Sequence, residues 1–163
     1  MKIAFQMDPI IDVDINADSS FRLSEEAQAR GHSLFYYSPD KLAFQEGKLT
    51  AWGHKMEVQR IAGNPAILGI EEEVSLEEFD VIWLRQDPPF DMHYITTTHL
   101  LDMIHPKTLV VNDPFWVRNY PEKLLVLNFP SITPPTTIAR DIKTIRAFKA
   151  KHHDIILKPL YGN

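Results

Sequence analysis

The chain has 163 residues, with 44% apolar and 24% charged side chains and a formal net charge of -5. These proportions are those of a folded globular protein and exclude intrinsic disorder, and an acidic balance with no Lys/Arg-rich block gives no electrostatic footprint for nucleic acid. No apolar run approaches the roughly 18 residues that span a bilayer, and a cysteine count of zero excludes a disulfide framework, a thiolate nucleophile and a cysteine zinc site.

The opening "MKIAFQMDPI" reads as a first strand over 2–7 ended by Asp8-Pro9, not as a signal peptide, and a cytoplasmic location is expected. Asp18 is the predicted N-cap of a helix running to about residue 30. Its apolar face is Phe21, Leu23 and Ala27, and Gly31 marks the stop. "SLFYY" at 33–37 is a second strand, and 43–61 suggests a β-hairpin turning at Glu46-Gly47. The consecutive apolar residues of "FDVIWLR", 79–85, predict a strand covered on both faces, as in a parallel sheet. A helix over 91–104 and the buried strand "TLVVN" at 108–112 complete a strand-helix-strand unit, so an α/β fold is expected. Two short helical pieces over 114–128 break at Pro121. The proline- and threonine-rich "FPSITPPTTIA", 129–139, reads as a connector into a short strand. A helix over 141–152 and a terminal strand in "DIILKPLYGN" follow. That last region is too small to bury its own core and reads as the opening of a second domain.

Several residues could carry chemistry. Arg85 ends the best buried strand, at the sheet edge where α/β proteins bind ligands. A guanidinium there can hold a carboxylate or phosphate bidentately; its plainer reading is a pair with Asp87. "DPPFD", 87–91, is a rigid strand-to-helix turn in which Asp91 caps the next helix. Asp18, Ser19 and Ser20 suit an anionic ligand at a helix N-terminus, or are simple caps. Lys123 in "YPEKLL" and Lys158 in "ILKPL" are solvated charges by default. Lys158 differs because an apolar strand is expected to present it and Pro159 ends ladder pairing directly after, as in a phosphate clamp. Gly162 then begins a potential backbone cradle. The seven histidines form no recognisable metal site, since His93, His99 and His105 are spaced six apart.

Taken in order, "MDPI" (7–10), "DSSF" (18–21), "EAQARGH" (26–32), "LRQDPPFD" (84–91), "VVNDP" (110–114), "EKL" (122–124), "TPPT" (133–136) and "DIILKPLYGN" (154–163) resemble bacterial glutathione synthetases over essentially the whole chain. The resemblance implies an ATP-dependent, magnesium-dependent ligase that joins γ-glutamylcysteine to glycine through an acyl phosphate. It implies a Rossmann-like pre-ATP-grasp domain with a parallel sheet over 1–122, and a linker with the incomplete start of an ATP-grasp domain over 123–163. Arg85, Ser19 and Ser20 would then bind γ-glutamylcysteine, and Lys123 and Lys158 would contact ATP. Gln86 stands where many members have lysine. No metal ligand is expected within the 163 residues, the magnesium ligands and closing loop lying further on, so this segment alone is expected to be inactive. Family members form dimers or tetramers, so a homo-oligomer is expected, with no nucleic-acid or membrane partner. Two other readings stay open: an inactive module that binds γ-glutamylcysteine, and a fragment that assembles with a separate C-terminal half.

Overall fold

A computed structural model describes residues 1–161. Strand β1 (Lys2–Met7) leads through helix α1 (Ser19–Ala29) to β2 (Ser33–Tyr37), and a hairpin of β3 (Leu42–Gln45) and β4 (Lys48–Val58) follows. Then come β5 (Ala66–Ser75), β6 (Val81–Arg85), α2 (Met92–Asp102), β7 (Leu109–Val111) and α3 (Pro114–Asn119). The remaining helices are α4 (Glu122–Leu125) and α5 (Ile142–His152). By backbone proximity the chain divides into two compact units, Met1–Asn119 and Tyr120–Asn163.

The first unit is built on one seven-stranded sheet. Its centre is parallel: β1 pairs with β2 on one side and β6 on the other, and β6 pairs with β7. The expectation of a parallel sheet therefore holds only for these strands. β4 runs antiparallel to β2, β3 and β5, which makes the sheet mixed. The reason is local. Glu46 and Gly47 take φ values of 50° and 81°, the left-handed pair that a two-residue hairpin turn requires. Such a turn can only send β4 back along β3. The 11-residue β4 then alternates buried and exposed side chains along much of its length, as an antiparallel strand with one wet face does.

Two apolar clusters cover the two sheet faces. Ile3, Phe5 and Met7 of β1 pack with Leu34, Tyr36 and Phe21 of α1. Ala4 of β1 packs on the other face with Phe35, Ile82, Leu84, Val110 and Leu101 of α2. The period of two along each strand assigns every residue to one side or the other. On β6, Ile82 and Leu84 face α2, whereas Val81 and Trp83 join the α1 cluster.

The second unit differs from expectation. Asp141 caps α5 through Lys143 and Thr144, as the sequence predicts. However, no strand forms among its described residues, either before α5 or in 154–161. Ile156 and Leu157 are 83% and 70% exposed. A strand needs a paired neighbour, and none of the described residues of this unit supplies one. None of its described residues is buried. Gly162, the expected start of a cradle, lies outside the described residues.

One packing constraint is sharp enough to test. A Cβ at Gly53 would stand 2.3 Å from the Tyr36 carbonyl oxygen, 2.7 Å from the Phe35 ring and 2.9 Å from the Tyr37 Cβ. All three belong to β2, so the alanine cannot be accommodated by moving one flexible tip. Gly53→Ala is expected to cost about 2–3 kcal/mol by overpacking, read as a lower urea midpoint at unchanged slope.

Candidate functional site

The chain leaves β1 through α1 towards β2 on one side, and leaves β6 through α2 towards β7 on the other. Where two neighbouring parallel strands send their connections in opposite directions, their carboxyl ends open a crevice, the usual ligand position in α/β sheets. β1 and β6 form such a pair, with Met7 opposite Arg85 at their ends.

Arg85 follows Val81 and Trp83 in the period of two and so turns to the face covered by α1. Its Nε donates to Ser20 Oγ at 2.9 Å, and one terminal nitrogen donates to Ser19 Oγ at 2.7 Å. The three substrate-site residues expected from sequence are thus brought together. Ser20 is 3% exposed, a buried hydroxyl beneath a half-buried guanidinium. The simpler pairing of Arg85 with Asp87 does not form: none of the ion pairs among the described residues includes Arg85.

The neighbouring carboxylates have separate duties. Asp18 Oδ1 accepts from the Phe21 amide at 2.7 Å, and Asp91 Oδ1 accepts from the amides of His93 and Tyr94 at 2.9 and 3.0 Å. Both are helix caps, the plainer of the readings open to them. Asp8, directly after β1, accepts from the Asp87 amide at 2.7 Å and ties the two loops at the crevice together. Burial raises the Asp87 carboxyl above the usual range, Asp8 and Asp18 push it further, and Arg85 opposes the rise. Tyr94, on the first turn of α2, is also raised, first by burial, with Arg85 opposing and Asp87 and Asp8 adding. These couplings place Arg85, Asp87, Asp8 and Tyr94 in one electrostatic neighbourhood.

Two members of this group, Asp8 and Tyr94, were not singled out by sequence, and neither was Gln6 beside Gln86. Gln6 is fully buried at the carboxyl end of β1. Its Nε2 donates to Gln86 Oε1 at 3.4 Å, while its Oε1 has no partner. An amide inside the apolar run "IAFQM" was the available signal, because a buried polar group needs a reason.

In the second unit, Lys123 on α4 donates from Nζ to the Pro159 carbonyl at 2.7 Å. That carbonyl belongs to the residue after Lys158, which is exposed. The contact joins α4 to the segment carrying the second expected nucleotide lysine. Among the described residues no group of three His, Asp or Glu side chains could hold a metal ion, and no helix is long and apolar enough to cross a membrane.

Comparison with known families matches residues 1–118 to the prokaryotic glutathione synthetase N-terminal domain. Residues 122–163 match the ATP-grasp domain of the same family. Among curated proteins, the glutathione synthetase of Brucella melitensis is 56% identical over the whole chain, and that of Mesorhizobium japonicum 55%. A more distant relative, the glutathione synthetase of Pseudomonas putida, is 42% identical over 99% of the chain. The alignments cover 52%, 52% and 51% of those relatives, so the chain spans about half their length.

The anchoring of Arg85 predicts unequal costs for its two serines. Ser20→Ala strips a buried, charge-assisted acceptor and is expected to cost about 1–3 kcal/mol. Ser19→Ala, at an exposed position, is expected to stay within about 0.5 kcal/mol. Urea unfolding of both variants checks this, and equal costs would show that Arg85 is not held from its buried side.

Proposed function

The chain belongs to the prokaryotic glutathione synthetase family, and on that premise we propose that it supplies the dipeptide-binding part of an ATP-dependent ligase. The proposed reaction joins γ-glutamylcysteine and glycine, with ATP converted to ADP and phosphate. Residues 1–122 would be the Rossmann-like substrate domain, and 123–163 the linker and beginning of an ATP-grasp domain. A cytoplasmic location and a homo-oligomer belong to the same reading.

The observation that carries it is the seating of Arg85 at the crevice. Its guanidinium is oriented by two neutral hydroxyls rather than neutralised by a carboxylate. That leaves its charge available to a ligand carboxylate, which guanidinium groups bind in strong charge-assisted pairs. A carboxylate of γ-glutamylcysteine suits this position, with Ser19 and Ser20 beneath it.

For ATP, the residues present fit in part. Lys123 already reaches the backbone beside Lys158, and ammonium groups suit the charge of a polyphosphate. Bound ATP and magnesium would supply the phosphoryl group and its charge neutralisation. This chain's contribution would be to orient the dipeptide carboxylate through Arg85 and to present Lys123 and Lys158 to the phosphates. Positioning and charge stabilisation are the terms on which phosphoryl transfer depends.

One observation favours a second reading, a binding module without catalysis. Both apolar clusters lie in the first unit, and the second has no buried residue among those described. Assembly with a separate C-terminal half is a variant of that reading. Calorimetry is expected to show γ-glutamylcysteine binding to the 163-residue chain without ATP, lost on Arg85→Ala. A steady-state assay is expected to show no ligase activity from this chain alone. ATP- and glycine-dependent phosphate release above a Lys158→Ala control would overturn the second expectation but not the first.

A further inference from the structure

Between β1 and α1 the chain makes two local turns. The first is held from inside the fold: Ile10 is 2% exposed, and the Tyr36 hydroxyl hydrogen-bonds with its backbone. The second, 14–18, closes on itself through Asp14. The Asp14 carbonyl accepts the amides of Ala17 and Asp18, and its carboxylate accepts that of Asn16. This turn runs directly into Ser19 and Ser20, the hydroxyls that seat Arg85. Where the turn lies sets where the seat lies.

Among the described residues, one hydrogen bond ties 13–17 to a distant part of the chain: Arg60 donates to the Ile15 carbonyl at 3.3 Å. The other terminal nitrogen of the same guanidinium donates to Glu25 Oε2 of α1 at 2.7 Å. Its carbon lies 5.6 Å from the centre of the Phe21 ring, which is fully buried beside Ser20. The base of this side chain is itself braced. In the turn between β4 and β5, the Gln59 amide donates to the Pro65 carbonyl at 2.8 Å, and Gln59 Nε2 to the Asn64 carbonyl at 2.9 Å.

One guanidinium therefore spans the 14–18 turn, the first turn of α1 and the second. Its planar fork serves divergent partners at once, which the single ammonium of a lysine does not. The side chain is 44% exposed, so its ion pair adds little to stability. Its effect is on position.

We propose that Arg60 is a positioning residue for the dipeptide site: it fixes the 14–18 turn against α1 and so keeps Ser19 and Ser20 in place beneath Arg85 before a ligand arrives. This rests on the function proposed above and extends it to a residue that acts through the fold. Without Arg60 the turn must be ordered as the ligand binds, and ordering costs affinity.

The test titrates γ-glutamylcysteine into the 163-residue chain and its variants by calorimetry, with thermal unfolding of the same samples. Arg60→Ala is expected to bind about 3- to 10-fold more weakly, the range of ordering one such contact. Arg60→Lys is expected to weaken binding as much, because its ammonium keeps Glu25 but does not also hold the Ile15 carbonyl. Both variants are expected to melt within about 4 °C of the parent. Lys107→Ala, which breaks another exposed ion pair of 2.7 Å, to Glu77, is expected to change neither affinity nor melting. Unchanged affinity in both Arg60 variants overturns the inference. Full affinity in Arg60→Lys also overturns it, since charge alone would then suffice. A loss that appears only with a larger fall in melting temperature overturns it in favour of a purely structural role. Each of these results leaves the function reading standing, whereas failure of the parent chain to bind γ-glutamylcysteine overturns both together.

Discussion

The candidate site depends on the parallel register between β1 and β6, which sets Met7 opposite Arg85. Because strand side chains alternate between faces, a slip of one residue would turn Arg85 away from α1 and its two serines. Two interactions hold the register. Ile82 and Leu84 are 0% and 3% exposed on the α2 side, and a slip would exchange them for Trp83 and the arginine. At the start of the pair, Asp80 closes a ring with Lys2: its amide donates to the Lys2 carbonyl at 3.0 Å, and its carboxylate accepts the Lys2 amide at 2.7 Å. The register is thus locked at the far end of the strands from the residue that uses it.

The serines must be as well placed as the arginine, and α1 is held near both ends. At its N-terminus Asp18 caps the helix and Phe21 is fully buried. Towards its C-terminus the Gln28 amide donates to the Val58 carbonyl at 2.9 Å and accepts the Val58 amide at 2.7 Å. Gln28 thereby behaves as a further backbone pair between helix and sheet. Glu25 adds a bridge to Arg60 and Arg22, and the hydrogen bond from Arg60 is the main cause of its lowered carboxyl, with burial opposing. Ion pairs with exposed members contribute little. The amide pair and the buried phenylalanine are therefore the firmer anchors, and sites on elements so fixed are more precise than sites on loops.

What the sequence disclosed follows the strength of local signals. β6 is visible because its apolar run has few other uses, and Arg85 is visible because it ends that run. The caps Asp18 and Asp91, and the turn at Glu46-Gly47, are legible because backbone chemistry dictates them within a few residues. β5 is not legible. Its "AILGIEEEVS" neither alternates nor runs apolar, and the pairing with β4 shifts register between His54 and Met56, so its existence depends on a partner already in place. Asp8 and Tyr94 are hidden for a related reason: only the sheet order brings the end of β1 beside the start of α2. The terminal segment fails in the opposite sense. "DIIL" has strand character by composition, yet character without a neighbour to pair with produces no strand.

The separation of charge at the crevice is itself a structural achievement. A guanidinium close to three carboxylates would ordinarily collapse into an ion pair and leave nothing for a ligand. Here each potential partner is occupied or held back. Asp18 is committed to the first turn of α1, and Asp8 to the Asp87 amide. Arg85 is drawn to the α1 face by hydroxyls that satisfy its hydrogen bonds without cancelling its charge. Asp87 follows β6 by two residues, and its backbone amide is bonded to Asp8. Opposite charges kept close and unpaired raise the energy of the empty site. The open guanidinium at the strand ends is thus a product of the α1 cap and the loop bond, which keep two of the carboxylates occupied.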